Sequence, residues 1–362
     1  MAKTFGIFLF FLIVGTATGV AQNISSVNEK TEKLVAKFMI KEDIPGMAIS
    51  ISLNDSLIFT QGFGFSDIGS KRPVNPSETK FRIASITKTM TATVIYKLRE
   101  NGQIDLQKSA NFYLDSLPRK EFLFTIEQLG GHLSGLPRMP STEKYSCNNT
   151  YKRGDFYLIF EKDALQFAPS TKMQYSNYGY KLLGVIIEKV TGKSIVENHK
   201  KYVIDVLDLK NTIPETKIRN ANTATFYIKK DKSIIEAPCL DCTFKYAPGC
   251  YLSTSEDLVK LGNAYLYAGK ILEKESLVDM IKSKRLTNNS KTKYGFGFAT
   301  CDDIFGTYSY GHDGGYEGSR SALRIYPNSR IVISVLVNRD VENIADFVAA
   351  VADNYNALLK TR

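Results

Sequence analysis

The 362-residue chain is 43% hydrophobic and 23% charged, without tandem repeats or low-complexity linkers, which fits one large or two intimately joined globular domains. Its net charge of +10 comes from scattered lysines, as in "IKKDK" (228–232) and "KSKRLTNNSKTK" (282–293). No basic patch interleaves with aromatics, so a nucleic-acid partner is excluded and only a loose association with an anionic cell envelope is expected.

The chain opens with Lys3, an apolar run from Phe5 to Val14, and small residues in "GTATGVAQ". This reads as a secretory signal over residues 1–21, cleaved after Ala21 by the small-x-small rule. The run falls short of the roughly 20 residues a bilayer span needs, so no transmembrane span is expected in the mature form. A retained anchor is the alternative. The first arginine is Arg72, which argues against a mitochondrial transit peptide. The expected location is secreted or periplasmic.

Ser26 to Glu42 carries apolar residues at helical spacing behind a serine able to cap. "GMAISISLND" (46–55) and "SLIFTQGFGFSD" (56–67) predict a hairpin turning at Asn54-Asp55. "SITKTMTATVIYKLRENG" (85–102) places Ile86, Met90, Val94, Ile95 and Leu98 on one helical face and stops at Asn101-Gly102. Further helices are expected near 179–191, 193–206 and 255–268. Four strand-like runs follow: "KYGFGFAT", "TYSYGH", "SALRIYP" and "RIVISVLVN", with the Asn-Ser of "YPNSR" as a turn. The last helix carries Ile344, Phe347, Val348, Val351 and Tyr355 as one stripe.

Strand-rich ends around a helical centre predict an α+β chain. One antiparallel sheet is built from both termini (22–84 and 286–362) and flanked by terminal helices. A mainly helical domain (85–285) is inserted, with the active site in the cleft between the two.

Five cysteines (147, 239, 242, 250, 301) leave at least one thiol unpaired within the chain. Cys239-x-x-Cys242 has no second pair, and His132, His199 and His312 are far apart in sequence. Metal binding is therefore not expected, and a disulfide in an oxidising compartment is.

Ser85-Ile-Thr-Lys88 is a candidate nucleophile and base. Ser-x-x-Lys also occurs at Ser77/Lys80, Ser141/Lys144 and Ser290/Lys293, so its setting decides. Ser85 follows "FRIA" and opens an amphipathic helix, whose i and i+3 positions share a face. The other three serines lie in polar turn or loop sequence. The bland alternative is a capping serine beside a solvated lysine. There is no G-x-S-x-G, no H-E-x-x-H and no Walker loop, so a serine activated by lysine is the natural candidate.

A free lysine amine is mostly protonated at neutral pH and needs burial or a proton-carrying neighbour. Tyr175-Ser176-Asn177, just before a helix, supplies a phenol for that purpose. The third piece is His312-Asp313-Gly314-Gly315, at the end of a strand whose glycines let a substrate backbone approach.

In this order, Ser-x-x-Lys, Tyr-x-Asn and His-x-Gly resemble the motif set of the serine β-lactamase and penicillin-binding-protein superfamily, class C and esterase-like branch. "GFGFSDIGSKRPVNPSETKFRIASITKTMTA", "LGGHLSGLP" and "APGCYLSTSEDLVKLGNAYL" extend the resemblance over about 30–340. It implies that Ser85 is acylated while Lys88 and Tyr175 share its proton. Asn177 would hold the substrate amide and Lys88, and the backbone N–H groups of Ser85 and Gly315 would form the oxyanion hole. No cofactor is implied, and His132 matches a structural position.

His312 stands where true β-lactamases carry lysine, Asp313 replaces a hydroxyl, and Cys250 replaces a glycine. The resemblance thus implies a serine hydrolase for a small-molecule or peptide substrate, a peptidase or esterase that handles β-lactams poorly. Asp313, if it faces the cleft, would favour amine-bearing substrates. The alternatives are a β-lactamase or D-Ala-D-Ala carboxypeptidase, and an idle relative that binds peptide or forms filaments.

Overall fold

The computed structural model describes residues 24–139 and 160–360, apart from positions 221, 232, 241 and 243. The expected signal segment and Cys147 lie outside these residues. A helix over 24–41 (α1) leads into strand β1 (Gly46–Leu53) and strand β2 (Ser56–Asp67). Asn54 (φ 52°) and Asp55 (φ 69°) join them. Both adopt the left-handed backbone a two-residue hairpin needs, and Asn and Asp tolerate it better than most residues.

Near the other end lie β9 (Ala299–Asp302), β10 (Tyr308–Tyr316), β11 (Ser319–Tyr326) and β12 (Ile331–Val337), followed by a closing helix, Ile344–Lys360. With β3 (Arg72–Pro73) they form one seven-stranded sheet, ordered β3-β2-β1-β12-β11-β10-β9. The termini meet at its centre, where β1 runs antiparallel to β12, from Met47 opposite Val337 to Leu53 opposite Ile331.

Every residue of β12 is buried, because both sheet faces are covered. Ile331, Ile333, Val335 and Val337 face the terminal helices, packing with Val35, Phe38, Phe347 and Val351. Val332 and Leu336 face the helical layer. Phe38 and Phe347 stack at 4.4 Å between ring centroids, tying α1 to the closing helix.

Helix α2 (Thr87–Glu100) is buried on nearly all sides. Three of its buried threonines tolerate this because their hydroxyls find carbonyls: Thr89 donates to Ile86 O, Thr91 to Ala247 O and Thr93 to Thr89 O. Helix α3 (Asn177–Thr191) packs against α2, and helix α4 (Ser255–Leu266) lies against the sheet. A small sheet, β4 (Phe81–Arg82), β8 (Tyr251–Ser253) and β5 (Ile213–Pro214), sits where the two layers join. Its strands are too short to leave a periodic signal.

Three expectations shift. "KYGFGFAT" is strand only from Ala299, because Gly297 turns the chain at φ 83°. The helix expected over 193–206 is split into Ile195–His199 and a wider π-type turn, Lys200–Ile204. The helix expected from Ser85 begins at Thr87, after a tight 3-10 turn over Ala84–Ile86.

Candidate active site

That 3-10 turn presents Ser85. Ala84 has φ 44°, a left-handed conformation that costs a β-carbon residue roughly 1–2 kcal/mol. The turn is clamped by strand β10. A Cβ at Gly314 would lie 2.3 Å from Ile83 O and 3.0 Å from Ala84 Cβ, so only glycine allows the approach. Ser321 Oγ donates to Ile83 O at 2.8 Å from the neighbouring strand.

Lys88 lies on the first turn of α2, and its side chain is fully buried. Nζ is 3.0 Å from Ser85 Oγ, and donates to Asn177 Oδ1 at 2.8 Å and Pro248 O at 2.9 Å. Burial pushes its pKa well below the ordinary lysine value, and the charges of Arg138 and Lys181 push the same way. A neutral amine has two N–H groups, which the two carbonyl oxygens take up. Its lone pair is then left for the Ser85 hydroxyl proton.

Tyr175 Oη donates to Ser85 Oγ at 2.8 Å. The residues on either side of Tyr175 are held by His132. Gln174 N–H donates to the His132 carbonyl at 3.0 Å, and Ser176 N–H donates to Nδ1 at 3.0 Å. The imidazole also lies 4.4 Å from the phenol ring. Ser176 caps α3 by accepting from Gly179 N–H, which puts Asn177 at the helix start.

His312 is buried, with Nδ1 2.5 Å from Asp313 O and Nε2 2.9 Å from Tyr294 Oη. A carbonyl can only accept, so Nδ1 carries the proton and Nε2 accepts from the Tyr294 hydroxyl. Burial, then the Lys88 charge, pushes the His312 pKa down to about 3. The imidazole is therefore neutral across the physiological range, and more firmly so than its ordinary pKa implies.

Asp313 lies on the opposite side of β10 from His312. His312 pairs with Leu323, which faces the helical layer, and Asp313 with Ala322, which faces the terminal helices. The Asp313 carboxylate is ion-paired to Arg324 at 2.5 Å. Although Asp313 borders the groove, its charge is committed to Arg324, and the amine preference expected from a free carboxylate there loses its basis.

Strand β9 pairs with β10 only as far as Gly311, so His312 to Tyr316 form an open edge beside Ser85. Ser85, Tyr175, Asn177, His312, Asp313, Gly314 and Gly315 all line one groove of about 780 Å³. Cys250, at φ 61°, is disulfide-bonded to Cys242, and Cys301 is a free thiol. Among the described residues, no group of three His, Cys, Asp or Glu side chains is arranged to hold a metal.

Three participants carried no sequence signal: Arg138 on the groove wall, Tyr294 behind His312, and Arg324 beneath Asp313. Each is one basic or aromatic residue among many, with no motif spacing to mark it.

A nucleophile at the start of a central helix, an amine one turn on and a facing strand edge define the β-lactamase/transpeptidase-like class of serine-hydrolase fold. A family model described as Beta-lactamase matches residues 31–355, and the chain belongs to that family. It is 24% identical over 408 aligned positions to the serine beta-lactamase-like protein LACTB, mitochondrial, of Mus musculus, covering 85% of this chain and 74% of that one. The octameric penicillin-binding protein homologue from Pyrococcus abyssi superposes with TM-score 0.77 at 25% identity, over 92% of this chain and 77% of that one. A D-stereospecific amidohydrolase from Streptomyces sp. shares the fold with TM-score 0.74 at 23% identity, over 86% and 94%. Among the described residues, no helix is long and apolar enough to cross a membrane.

Proposed function

We propose that the protein is a serine hydrolase that forms an acyl-enzyme at Ser85, acting on an ester or peptide in an extracytoplasmic compartment. The observation that carries this is the double approach to one hydroxyl: Tyr175 Oη at 2.8 Å and Lys88 Nζ at 3.0 Å from Ser85 Oγ. A residue set serving only to bind peptide has no need of a buried amine at a serine.

In acylation, Ser85 Oγ bonds to the substrate carbonyl carbon and its proton passes to the Lys88–Tyr175 pair. The tetrahedral oxyanion is held by the N–H groups of Ser85 and Gly315. The carbonyl–leaving-group bond then breaks, and the departing alcohol or amine takes the proton. Water repeats the sequence on the acyl-enzyme, releasing the acid and restoring Ser85. Asn177 orients both Lys88 and the substrate amide.

A neutral His312 supplies no fixed cation for a substrate carboxylate. Esters and peptides without a carboxylate beside the scissile bond are therefore favoured over β-lactams and D-Ala-D-Ala termini. Mass spectrometry after exposure to a fluorophosphonate, and separately to a penicillin, tests the reading. Labelling of Ser85 by the first alone is expected. Rapid turnover of the penicillin would move the assignment to a β-lactamase or carboxypeptidase, and labelling by neither would mark an idle relative.

A further inference from the structure

Arg82 lies three residues before the nucleophile and points away from the groove. Its side chain is 7% exposed. Nε lies 2.9 and 3.0 Å from the two carboxylate oxygens of Glu215, and the terminal nitrogen Nη2 is 2.9 Å from Oε1. The other terminal nitrogen, Nη1, donates to the carbonyl of Glu317 at 3.1 Å. The guanidinium is sandwiched against Phe226, 4.2 Å from its ring centroid. A planar fork that uses both ends at once is a role lysine cannot copy.

The two ends lead to different parts of the site. Glu317 is two residues after Gly315, in the turn between β10 and β11. Glu215 donates its backbone N–H to Cys250 O at 2.9 Å and accepts from Tyr246 Oη at 2.9 Å, fixing the turn whose Pro248 carbonyl holds Lys88. Arg82 itself is carried by β4, which runs directly into the Ser85 turn.

We propose that Arg82 is a positioning residue that, braced by Glu215, sets the Gly315 N–H opposite the Ser85 N–H and so fixes the width of the oxyanion hole. This rests on the acyl-enzyme reading above. Loss of the fork loosens the hole without releasing the hairpin, because Asp340 holds the same turn from the other side. Asp340 Oδ1 accepts from Gly318 N–H at 2.7 Å and from Arg320 at 3.0 Å.

The test compares Arg82→Lys and Glu215→Gln with wild type on 4-nitrophenyl acetate and its thionoester analogue. Sulfur accepts hydrogen bonds poorly, so an intact oxyanion hole accelerates the oxoester far more than the thionoester. For Arg82→Lys we expect kcat to fall about ten- to a hundredfold with KM nearly unchanged, short of the ~10²–10³ lost with a whole donor. The oxo/thiono rate ratio should narrow by a similar factor. Glu215→Gln, which keeps the side-chain shape, should narrow it less and serves alone if Arg82→Lys does not fold. An unchanged ratio in a folded variant overturns the proposal, whether activity is kept or merely lowered. If wild-type Ser85 is never labelled by fluorophosphonate, the hydrolase reading fails instead.

Discussion

Tyr175 Oη and Ser85 Oγ are 2.8 Å apart although 90 residues separate them along the chain. Two helices make the contact: α2 carries the nucleophile turn at its start, and Tyr175 immediately precedes Ser176, the cap of α3. The pairing is a property of how these helices pack, with His132 gripping the backbone on both sides of the tyrosine.

Tyr175→Phe keeps the ring contact with His132 and removes only the hydroxyl. Its kcat should fall by ~10²–10⁴, the usual contribution of a positioned proton carrier, with thermal stability close to wild type. The loss should be larger for an anilide than for an activated ester, whose leaving group departs without a proton. Equal losses on both substrates would place Tyr175 outside the proton path.

The depressed pKa of Lys88 sets a sign for the pH profile. The amine acts as base only when deprotonated, so kcat/KM should rise with pH through the lowered pKa and level off above it. The acidic limb should therefore lie well below the ordinary lysine range. Lys88→Arg, permanently charged, should be inactive at every pH. A limb near the free-lysine value, read from initial rates between pH 5 and 10, would contradict a buried neutral base.

Neighbouring glycines should respond very differently. Gly314→Ala would thrust a methyl into Ile83 O at 2.3 Å and displace the nucleophile turn from β10. Fluorophosphonate labelling of Ser85 should be lost. At Gly315 the added carbon would meet only the flexible Arg320 side chain at 3.0 Å, so Gly315→Ala should retain most labelling. Comparable labelling of the two variants would remove Gly314 from its spacing role.

His312 is neutral because burial and Lys88 hold its pKa near 3, so preference against carboxylate-bearing substrates should not change between pH 5 and 8. His312→Lys places a cation on the groove wall, at the cost of the Tyr294 hydrogen bond. Acylation by benzylpenicillin should rise about tenfold or more relative to a neutral ester, as one charge-assisted hydrogen bond of ~1.5–3 kcal/mol allows. Competition labelling gives the ratio directly, and no rise would mean that another feature excludes carboxylates.

The local pattern of the chain determined a great deal by itself. The near-continuous β-branched run in "RIVISVLVN" and the Asn54-Asp55 turn specified strands and a hairpin, and helical spacing put Ser85 and Lys88 on one side of one turn. Residue types at motif spacing also named Tyr175, Asn177 and His312 as chemistry-bearing. These signals survive in sequence because each is written in side chains a few positions apart. Tertiary structure alone decided that Lys88 is buried between two carbonyl acceptors and the Ser85 hydroxyl, that His312 is neutral behind Tyr294, that Asp313 is bound by Arg324, and that Arg82 bridges Glu215 and Glu317. Burial and distance between remote segments arise only when the layers close on one another, so no short stretch of sequence can encode them.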